Sequence, residues 1–342
     1  MEMHRRHLMM AGLGLAGAAV AANAARAQDG KVYTLRYQCS HPANTVFVTV
    51  TGQRFRDMVE KMSGGRIKFE VFDVGAVVGV TGMLEAVDQG VLDISQSWGG
   101  YYSGDVPEAD VECGLPLAWN SPWQAYDAFY NRGLNDIMVE AYEKKFQVKY
   151  FPAIISLAYG VGTRQELKSL ADLNGLKIRA IGLFGEFVKG LGAAPAVLPA
   201  PELYTALQLG TVDGVVYGAE ALAGASLNDF IKTMVLNPNW NTGVGHWMIN
   251  RGVWESLPPE LQQVIEFASH YGNIASAMQY TVAEAATIGK LKAKGLKFLD
   301  LSEEERGKLN AAADATWKLV EAKSELAAKA VALVRQQRAD FG

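Results

Sequence analysis

The sequence predicts an α/β protein of two lobes, each a mixed β-sheet flanked by helices, with hinge strands between the lobes and a helical C-terminus. Three observations predict this fold. Segments that alternate like strands are separated by segments of helical period, which is typical of sheets covered by helices. The same order of helix, glycine and strand occurs in both halves of the chain. The length of 342 residues exceeds what one average domain needs.

The first half opens with the alternating stretch KVYTLRYQCS, which predicts a strand ending in small polar residues. A helix follows, because apolar residues recur with a period of 3.6 until Gly64 and Gly65 end it. RIKFEVFDVG predicts a second strand, and TGMLEAVDQGVLDISQS reads as helix, turn and strand. Strands that are joined through helices imply parallel pairing.

The second half restarts this order after KKFQVKYFPAII, with GLKIRA and APAVLP as strands on either side of a helix. A helix that Gly210 ends leads into the strand VDGVVYG, and another strand contains NTGVGH. Proline residues at 258 and 259 then predict the start of a long helix that reaches about Lys292. The remaining Ala-rich stretch is helical, and Ser302 with Glu305 forms a capping box at its start.

Residues 1–27 predict a cleaved export signal. The segment has a basic start, an uncharged run over 8–22 and an A-x-A motif at 25–27, and the run is too short for a mature membrane helix. The pair Arg5-Arg6 favours twin-arginine export, with a Sec signal as the alternative. We therefore expect a periplasmic protein. In that oxidising compartment Cys39 and Cys113 either form a disulfide or remain two separate buried thiols.

Composition and motifs favour binding over catalysis. A net charge of −4 without a dense Lys/Arg run argues against a nucleic-acid partner. The histidines after the signal, His41, His246 and His270, lack metal-ligand spacing, and no G-x-S-x-G or phosphate-binding loop follows the signal. We therefore expect no enzyme activity, no catalytic residues and no resident cofactor. A periplasmic enzyme acting on a small carboxylic acid is the alternative.

Aromatic and polar residues follow the ends of the predicted strands, where open α/β sheets place their ligands. These candidates for ligand binding are Ser40, Trp98, Tyr101, Arg179, Tyr217, Glu220 and Trp240. Arg179 is the central one, because its planar guanidinium pairs bidentately with a carboxylate while aromatic side chains exclude water. An ordinary exposed or salt-bridged arginine is the alternative that the residues alone leave open.

Three stretches carry a resemblance to a known family: GGRIKFEVFDVGAVVGVTGMLEAVDQGVLDIS, LADLNGLKIRAIGLFGEFVKGLGAAPAVLPAPELYTALQLGTVDGVVYG and MINRGVWESLPPELQQVIEFA. They resemble the DctP-type solute-binding proteins of TRAP transporters. The resemblance implies a periplasmic-binding-protein architecture whose lobes close on an organic acid and deliver it to a membrane permease. Arg179 matches the arginine that pairs with the ligand carboxylate. IRAIGLFGE is most similar to the branch that binds 2-oxo and 2-hydroxy monocarboxylates, sometimes through a bridging cation.

The chain departs from that branch at two places. Ala158 stands where the branch has a glutamine or a second arginine, and Ser156, Tyr159 and Arg164 are the candidate substitutes. An acid-plus-tryptophan pair is replaced by Val215-Val216-Tyr217, with Glu220 only later. This departure from the branch predicts no metal site, with Glu220 as the candidate ligand if a cation does bridge the ligand. Tyr217 suits a larger or aromatic acid.

The predicted domain boundaries follow from the resemblance. Lobe I comprises residues 28–152 plus about 241–285, and lobe II comprises about 153–240 plus 286–342 with the C-terminal helices. The hinge strands lie near 151–159 and 239–247. The partners are an organic-acid ligand, the membrane subunits of a TRAP permease and, through the C-terminal helices, a second copy of the chain.

Overall fold

The computed structural model describes residues 30–154 and 159–341. The predicted export signal and the candidate residue Ser156 lie outside the described residues. The strands are β1 (Tyr33–Cys39), β2 (Ile67–Phe72), β3 (Ile94–Ser97), β4 (Val148–Ile154), β5 (Tyr159–Thr163), β6 (Lys177–Arg179), β7 (Ala194–Ala196), β8 (Gly214–Gly218), β9 (Thr233–Asn237), β10 (Val244–Asn250) and β11 (Lys297–Asp300).

The helices lie between these strands and after the last of them. They are α1 (Gln53–Met62), α2 (Met83–Asp88), α3 (Ala109–Glu112), α4 (Pro122–Tyr130), α5 (Leu134–Glu143), α6 (Leu183–Gly190), α7 (Leu203–Leu209), α8 (Ala219–Gly224), α9 (Arg251–Ser256), α10 (Pro259–Ala293), α11 (Glu303–Glu321) and α12 (Glu325–Phe341). Among the described residues, none of these helices is both long and apolar enough to cross a membrane.

The strands form two mixed sheets. The first has the order β2-β1-β3-β10-β4, and the second has the order β11-β9-β5-β8-β6-β7. In the first sheet β1 pairs in parallel with β2 and β3, as the helical connections predicted, and β10 runs antiparallel to both neighbours. In the second sheet β6 is parallel to β7 and β8, and β5 is antiparallel to β8 and β9. The predicted fold class is confirmed.

The chain passes between the two sheets at three places. It crosses from β4 to β5 and from β9 to β10, which are the regions predicted as hinges, and α10 carries it from the first sheet to β11 in the second. Helix α10 packs against α1 and β4 beside the first sheet and against α8 beside the second. The lobe boundaries stay a prediction. Helix α12, which the prediction assigned to lobe II, packs on α5 beside the first sheet.

The core contains both cysteines. Cys39 and Cys113 are buried free thiols, which is the second of the two alternatives considered for them. Burial raises the pKa of the Cys39 thiol to about 12. An uncharged, inaccessible thiol is unreactive, so neither cysteine contributes chemistry to the site.

A buried carboxylate joins four elements of the first lobe. Glu112, at the end of α3, accepts hydrogen bonds from the Tyr142 hydroxyl at 2.6 Å and the Tyr150 hydroxyl at 2.9 Å. It also lies 2.8 Å from Nδ1 of His246 on β10, and the side chains of Glu112 and His246 are fully buried. The carboxylate therefore connects α3, α5, β4 and β10 through polar contacts in the interior of the lobe.

Candidate ligand-binding site

A small cavity lies between the two sheets, at the strand ends where ligands were predicted. Its volume is about 30 Å³. Because that space holds only about one or two water molecules, the two walls lie almost in contact. Its lining residues are His41, Thr45, Val46, Phe47, Trp98, Tyr101, Tyr159, Arg179, Ile181, Tyr217 and Ala221.

Arg179 reaches this cavity because it is the last residue of β6, which pairs with β7 and β8 inside the second sheet. Its Nε donates to the carbonyl oxygen of Leu198 at 2.9 Å, which fixes the direction of the guanidinium. Only 1% of the residue is exposed, and its buried Nη2 has no hydrogen-bond partner among the described residues. The alternative of an exposed surface arginine is therefore excluded.

The charge of Arg179 is not balanced within the described part of the chain. None of the salt bridges found there includes this guanidinium. A buried cation without a partner is costly, because the low-dielectric interior replaces the water that would solvate it. An anion that entered the cavity would find both a full positive charge and a free N–H donor.

Aromatic side chains from both lobes surround the guanidinium. The rings of Trp98 and Tyr159 stack at 6.3 Å with an interplanar angle of 11°. The Tyr217 ring lies 5.6 Å from the guanidinium carbon of Arg179, within the range of a cation–π interaction. These rings exclude water and so strengthen any charge pair formed between them.

Titratable groups around Arg179 are neutral. Burial raises the pKa of Tyr159 to about 12, although the Arg179 charge opposes the shift. Burial likewise raises the pKa of Tyr101 and of Tyr217. Burial, with a further contribution from Arg179, lowers the pKa of His41 to about 3, so its imidazole is uncharged. Arg179 therefore supplies the single charge of the lining, which matches a ligand with one negative charge.

The lining does not suit a bridging cation. None of the lining residues is acidic. Among the described residues, no group of three His, Cys, Asp or Glu side chains is placed to hold a metal ion. A cation in this cavity would also lie close to Arg179 with no protein carboxylate to offset the repulsion. The residues present thus fit an anion better than an ion-bridged complex.

The structure brings together five of the eight predicted binding residues: Trp98, Tyr101, Tyr159, Arg179 and Tyr217. The other three lie outside the lining. Ser40 is buried behind it, with Oγ 3.0 Å from Nδ1 of His41. Trp240 packs edge-on against Phe187, with ring centroids 5.1 Å apart, in the hydrophobic core. Glu220 is buried at the start of α8, next to the lining residue Ala221.

Ser40 was the predicted binding residue from the segment after β1, and the list of predicted residues lacks the wall that this segment contributes to the cavity. His41, Thr45, Val46 and Phe47 lie in the loop and the first turn of a π-helical segment, Phe47–Gly52, that leads into α1. The position of this loop immediately after a strand was the available signal. Ile181, between β6 and α6, and Ala221, in α8, were also missed, because single apolar residues carry no chemical signature.

Direct contacts between the lobes show that the cleft is closed. Asn44 Nδ2 donates to the carbonyl oxygen of Gly224 at 2.9 Å, and the Ala200 amide donates to the Tyr101 hydroxyl at 3.4 Å. Gly182, with a φ of 55°, approaches Gly100 so closely that an added Cβ would lie 3.3 Å from the Gly100 Cα. A side chain at Gly182 would therefore be strained and would hold the lobes apart.

The stability of the folded protein should depend on pH through Glu220. Burial, assisted by repulsion from Glu284, raises its pKa from 4.5 to about 7. Because the folded state holds this proton more tightly than the unfolded state, the free energy of unfolding should fall as pH rises from 4.5 to about 7. Glu220→Gln should remove this contribution, as measured by urea unfolding at pH 4.5 and pH 8. The exposed Glu186→Gln variant is the control, and an unchanged pH dependence in Glu220→Gln would contradict the assignment.

Residues 39–324 match the family described as bacterial extracellular solute-binding protein, family 7, or DctP. The chain belongs to this family. This DctP-family protein is 29% identical over 252 residues to the monocarboxylate 2-oxoacid-binding periplasmic protein of a Nostoc species, a match that covers 72% of this chain and 68% of the relative.

Solved structures share the fold of this DctP-family protein. A TRAP transporter solute-binding protein from Bordetella bronchiseptica, described as a mixed-occupancy dimer with calcium and picolinate, superposes with a TM-score of 0.82 at 22% identity, covering 91% of this chain and 93% of that one. A TRAP periplasmic solute-binding protein from Pseudoalteromonas atlantica with bound sodium and pyruvate also gives a TM-score of 0.82 at 22% identity, covering 91% and 95%.

Proposed function

We propose that this solute-binding protein captures a small monocarboxylic acid between its lobes and delivers it to the membrane subunits of a TRAP-type transporter in the periplasm. The observation that supports this proposal most is the buried, unbalanced guanidinium of Arg179, whose Nη2 lacks a partner among the described residues. A ligand carboxylate supplies both the missing charge and the missing acceptor. The other groups of the cavity are neutral and aromatic, which suits the uncharged remainder of the acid.

The proposed ligand class is a small, singly charged acid, either an aliphatic 2-oxo or 2-hydroxy acid or a small aromatic acid. The Nostoc relative is described as binding 2-oxoacid monocarboxylates, and the Bordetella and Pseudoalteromonas proteins hold picolinate and pyruvate. Trp98, Tyr159 and Tyr217 offer ring faces to a planar ligand. Because the lining has no carboxylate, we propose binding without a bridging cation, in contrast to the calcium and sodium of those two structures.

A thermal-shift screen of the exported protein against monocarboxylates, dicarboxylates and neutral analogues tests this function. A ligand that binds the folded state raises the melting temperature by mass action, so monocarboxylates should give the large shifts. Adding a chelator should leave these shifts unchanged. The acid should be recovered intact after incubation, whereas its consumption would favour the alternative of a periplasmic enzyme. A screen in which no carboxylate raises the melting temperature would contradict the proposal.

Ligand should hold the lobes closed around it, with the cavity walls slightly farther apart than in this structure. The two crossings between the sheets can absorb a rotation with few changes in backbone dihedral angles. Small-angle X-ray scattering should therefore show a larger radius of gyration for the ligand-free protein than at saturating ligand. A Gly182→Val variant should remain expanded with ligand present, because its side chain occupies the contact with Gly100. Identical scattering with and without ligand would count against hinge closure.

A further inference from the structure

The loop after β1 brings a histidine to the wall of the cavity that faces Arg179. His41 follows β1 by two residues and lines the cavity from the side of the first sheet, whereas Arg179 lines it from the second sheet. The His41 ring packs edge-on against Phe47, with centroids 4.9 Å apart and an interplanar angle of 83°. Its Nδ1 lies 3.0 Å from Oγ of Ser40. These two contacts orient the imidazole, and its other nitrogen, Nε2, has no hydrogen-bond partner among the described residues.

The contact with Ser40 determines which nitrogen of the neutral ring carries the proton. Ser40 is fully buried, and Nδ1 of His41 is the one partner that its hydroxyl has within the described part of the chain. A buried hydroxyl needs an acceptor for its proton. Ser40 therefore donates to Nδ1, and the ring proton of His41 resides on Nε2. His41 is thus a neutral donor in the wall of the cavity.

Other donors of the same wall are engaged by the protein. The Thr45 hydroxyl donates to a carbonyl oxygen of its own loop at 2.7 Å. The Tyr101 hydroxyl accepts a backbone amide of the opposite lobe at 3.4 Å. Nε1 of Trp98 lies against Gly100, where an added Cβ would come within 3.0 Å of it. Among the described residues of this wall, Nε2 of His41 is therefore the donor best placed to serve a ligand.

The size of the cavity limits how far apart two bound groups of a ligand can be. Arg179 and His41 line opposite walls of a space of about 30 Å³, which holds one or two water molecules. The walls need to separate only slightly to admit a small acid. An atom that accepts from His41 must then lie close to the carboxylate that Arg179 holds, on the neighbouring carbon or ring atom.

We propose that His41 determines specificity, by donating its Nε2–H to an acceptor atom on the position next to the ligand carboxylate. This inference rests on the proposed function and deepens it, because it selects among the acids named there. A 2-oxo oxygen accepts this hydrogen bond and brings no proton of its own. A 2-hydroxyl accepts it too, but its proton then needs a further acceptor. An acid without a polar atom at this position leaves a buried donor unsatisfied, which costs affinity.

The preferred cargo is therefore a 2-oxo acid, or an aromatic acid with a ring nitrogen beside the carboxylate. Two pairs of acids test this preference by isothermal titration calorimetry of the exported protein with a chelator present. Pyruvate and propionate differ in the 2-oxo oxygen, and picolinate and benzoate differ in the ring nitrogen. The acid with the acceptor should bind about tenfold to a hundredfold more tightly. If the wild type binds none of the four acids, the proposed function fails and this inference with it. Equal affinities within the pairs would overturn the role of His41 alone.

Variants at position 41 show whether this side chain sets the preference. His41→Phe keeps a flat ring but removes the donor, so the affinity ratio within each pair should fall close to one. His41→Gln places an amide donor near the position of Nε2 and should restore part of the ratio. His270→Phe makes the same substitution at an exposed histidine outside the lining, and it should keep the wild-type ratio. A ratio measured within one variant is insensitive to changes in folding, because both acids bind the same protein. A His41→Phe protein with the wild-type ratio overturns the proposal.

NMR of the isotope-labelled ring nitrogens tests the tautomer directly. In the ligand-free wild type, His41 should carry its proton on Nε2, with the signal assigned by its loss in His41→Phe. Ser40→Ala removes the donor to Nδ1, so both tautomers should appear and the preference for the acceptor acid should decrease. A wild-type His41 ring with its proton on Nδ1 would overturn the proposal, because Nε2 would then be an acceptor.

Discussion

Replacing Arg179 by alanine should weaken the binding of the acid by about thirtyfold to several thousandfold, which corresponds to the loss of about 2–5 kcal/mol expected for one partner of a buried charge pair. The reason is that the carboxylate would enter a closed cavity whose other groups are neutral. Arg179→Lys should recover part of the affinity, because an ammonium restores the charge but not the planar fork. Isothermal titration calorimetry measures both variants against the acid that gives the largest thermal shift.

The control for this prediction is a substitution on the same strand. Lys177 lies two residues earlier on β6, where its side chain is exposed and outside the cavity, so Lys177→Ala should bind like the wild type. The sequence alone left open an ordinary exposed or salt-bridged arginine at position 179. The structure instead buries it, so Arg179→Ala should leave the melting temperature of the ligand-free protein unchanged or raise it. An Arg179→Ala protein with wild-type affinity would mean that the carboxylate binds elsewhere.

Replacing Glu112 by alanine should destabilise the protein by about 3–5 kcal/mol, the usual cost of breaking a buried charged network by removing one member. The substitution leaves the hydroxyls of Tyr142 and Tyr150 and the imidazole of His246 without their shared partner in the fully buried interior. Urea unfolding of the ligand-free protein measures the loss of unfolding free energy.

Two further variants separate the effect of the buried hydrogen bonds from the effect of removing any carboxylate. Glu112→Gln keeps an acceptor oxygen in a side chain of similar volume. It should therefore lose less unfolding free energy than Glu112→Ala. Glu186→Ala removes a carboxylate that is 51% exposed and paired with Lys189, and it should cost less than about 1 kcal/mol. If Glu112→Ala unfolds at the same urea concentration as the wild type, the network does not stabilise the lobe.

Periodicity predicted the strands and the long helix well, because their patterns are local. The helix expected from the prolines at 258 and 259 to about Lys292 is α10, and Arg179 does end its strand. Local patterns did not assign α4 and α5, whose apolar residues face a core built from distant segments. The partner of His246 was equally out of reach, since Glu112 lies 134 positions away in sequence. Trp240 lies in the hydrophobic core and not in the cavity lining. The sequence could not separate these two places, because a tryptophan that follows a strand packs in a core as readily as it lines a cavity.

The small volume of the cleft has a consequence for transport. A cavity of about 30 Å³ cannot enclose an organic acid unless Trp98 and Arg179, on opposite walls, move apart. Each acid would then set its own final separation of the lobes, and the outer surface of the protein would differ from one cargo to the next. A permease that docks on both lobes at once would detect the size of the cargo without touching it. Selectivity would thus be exercised twice, first by affinity in the cleft and then by the shape of the loaded protein.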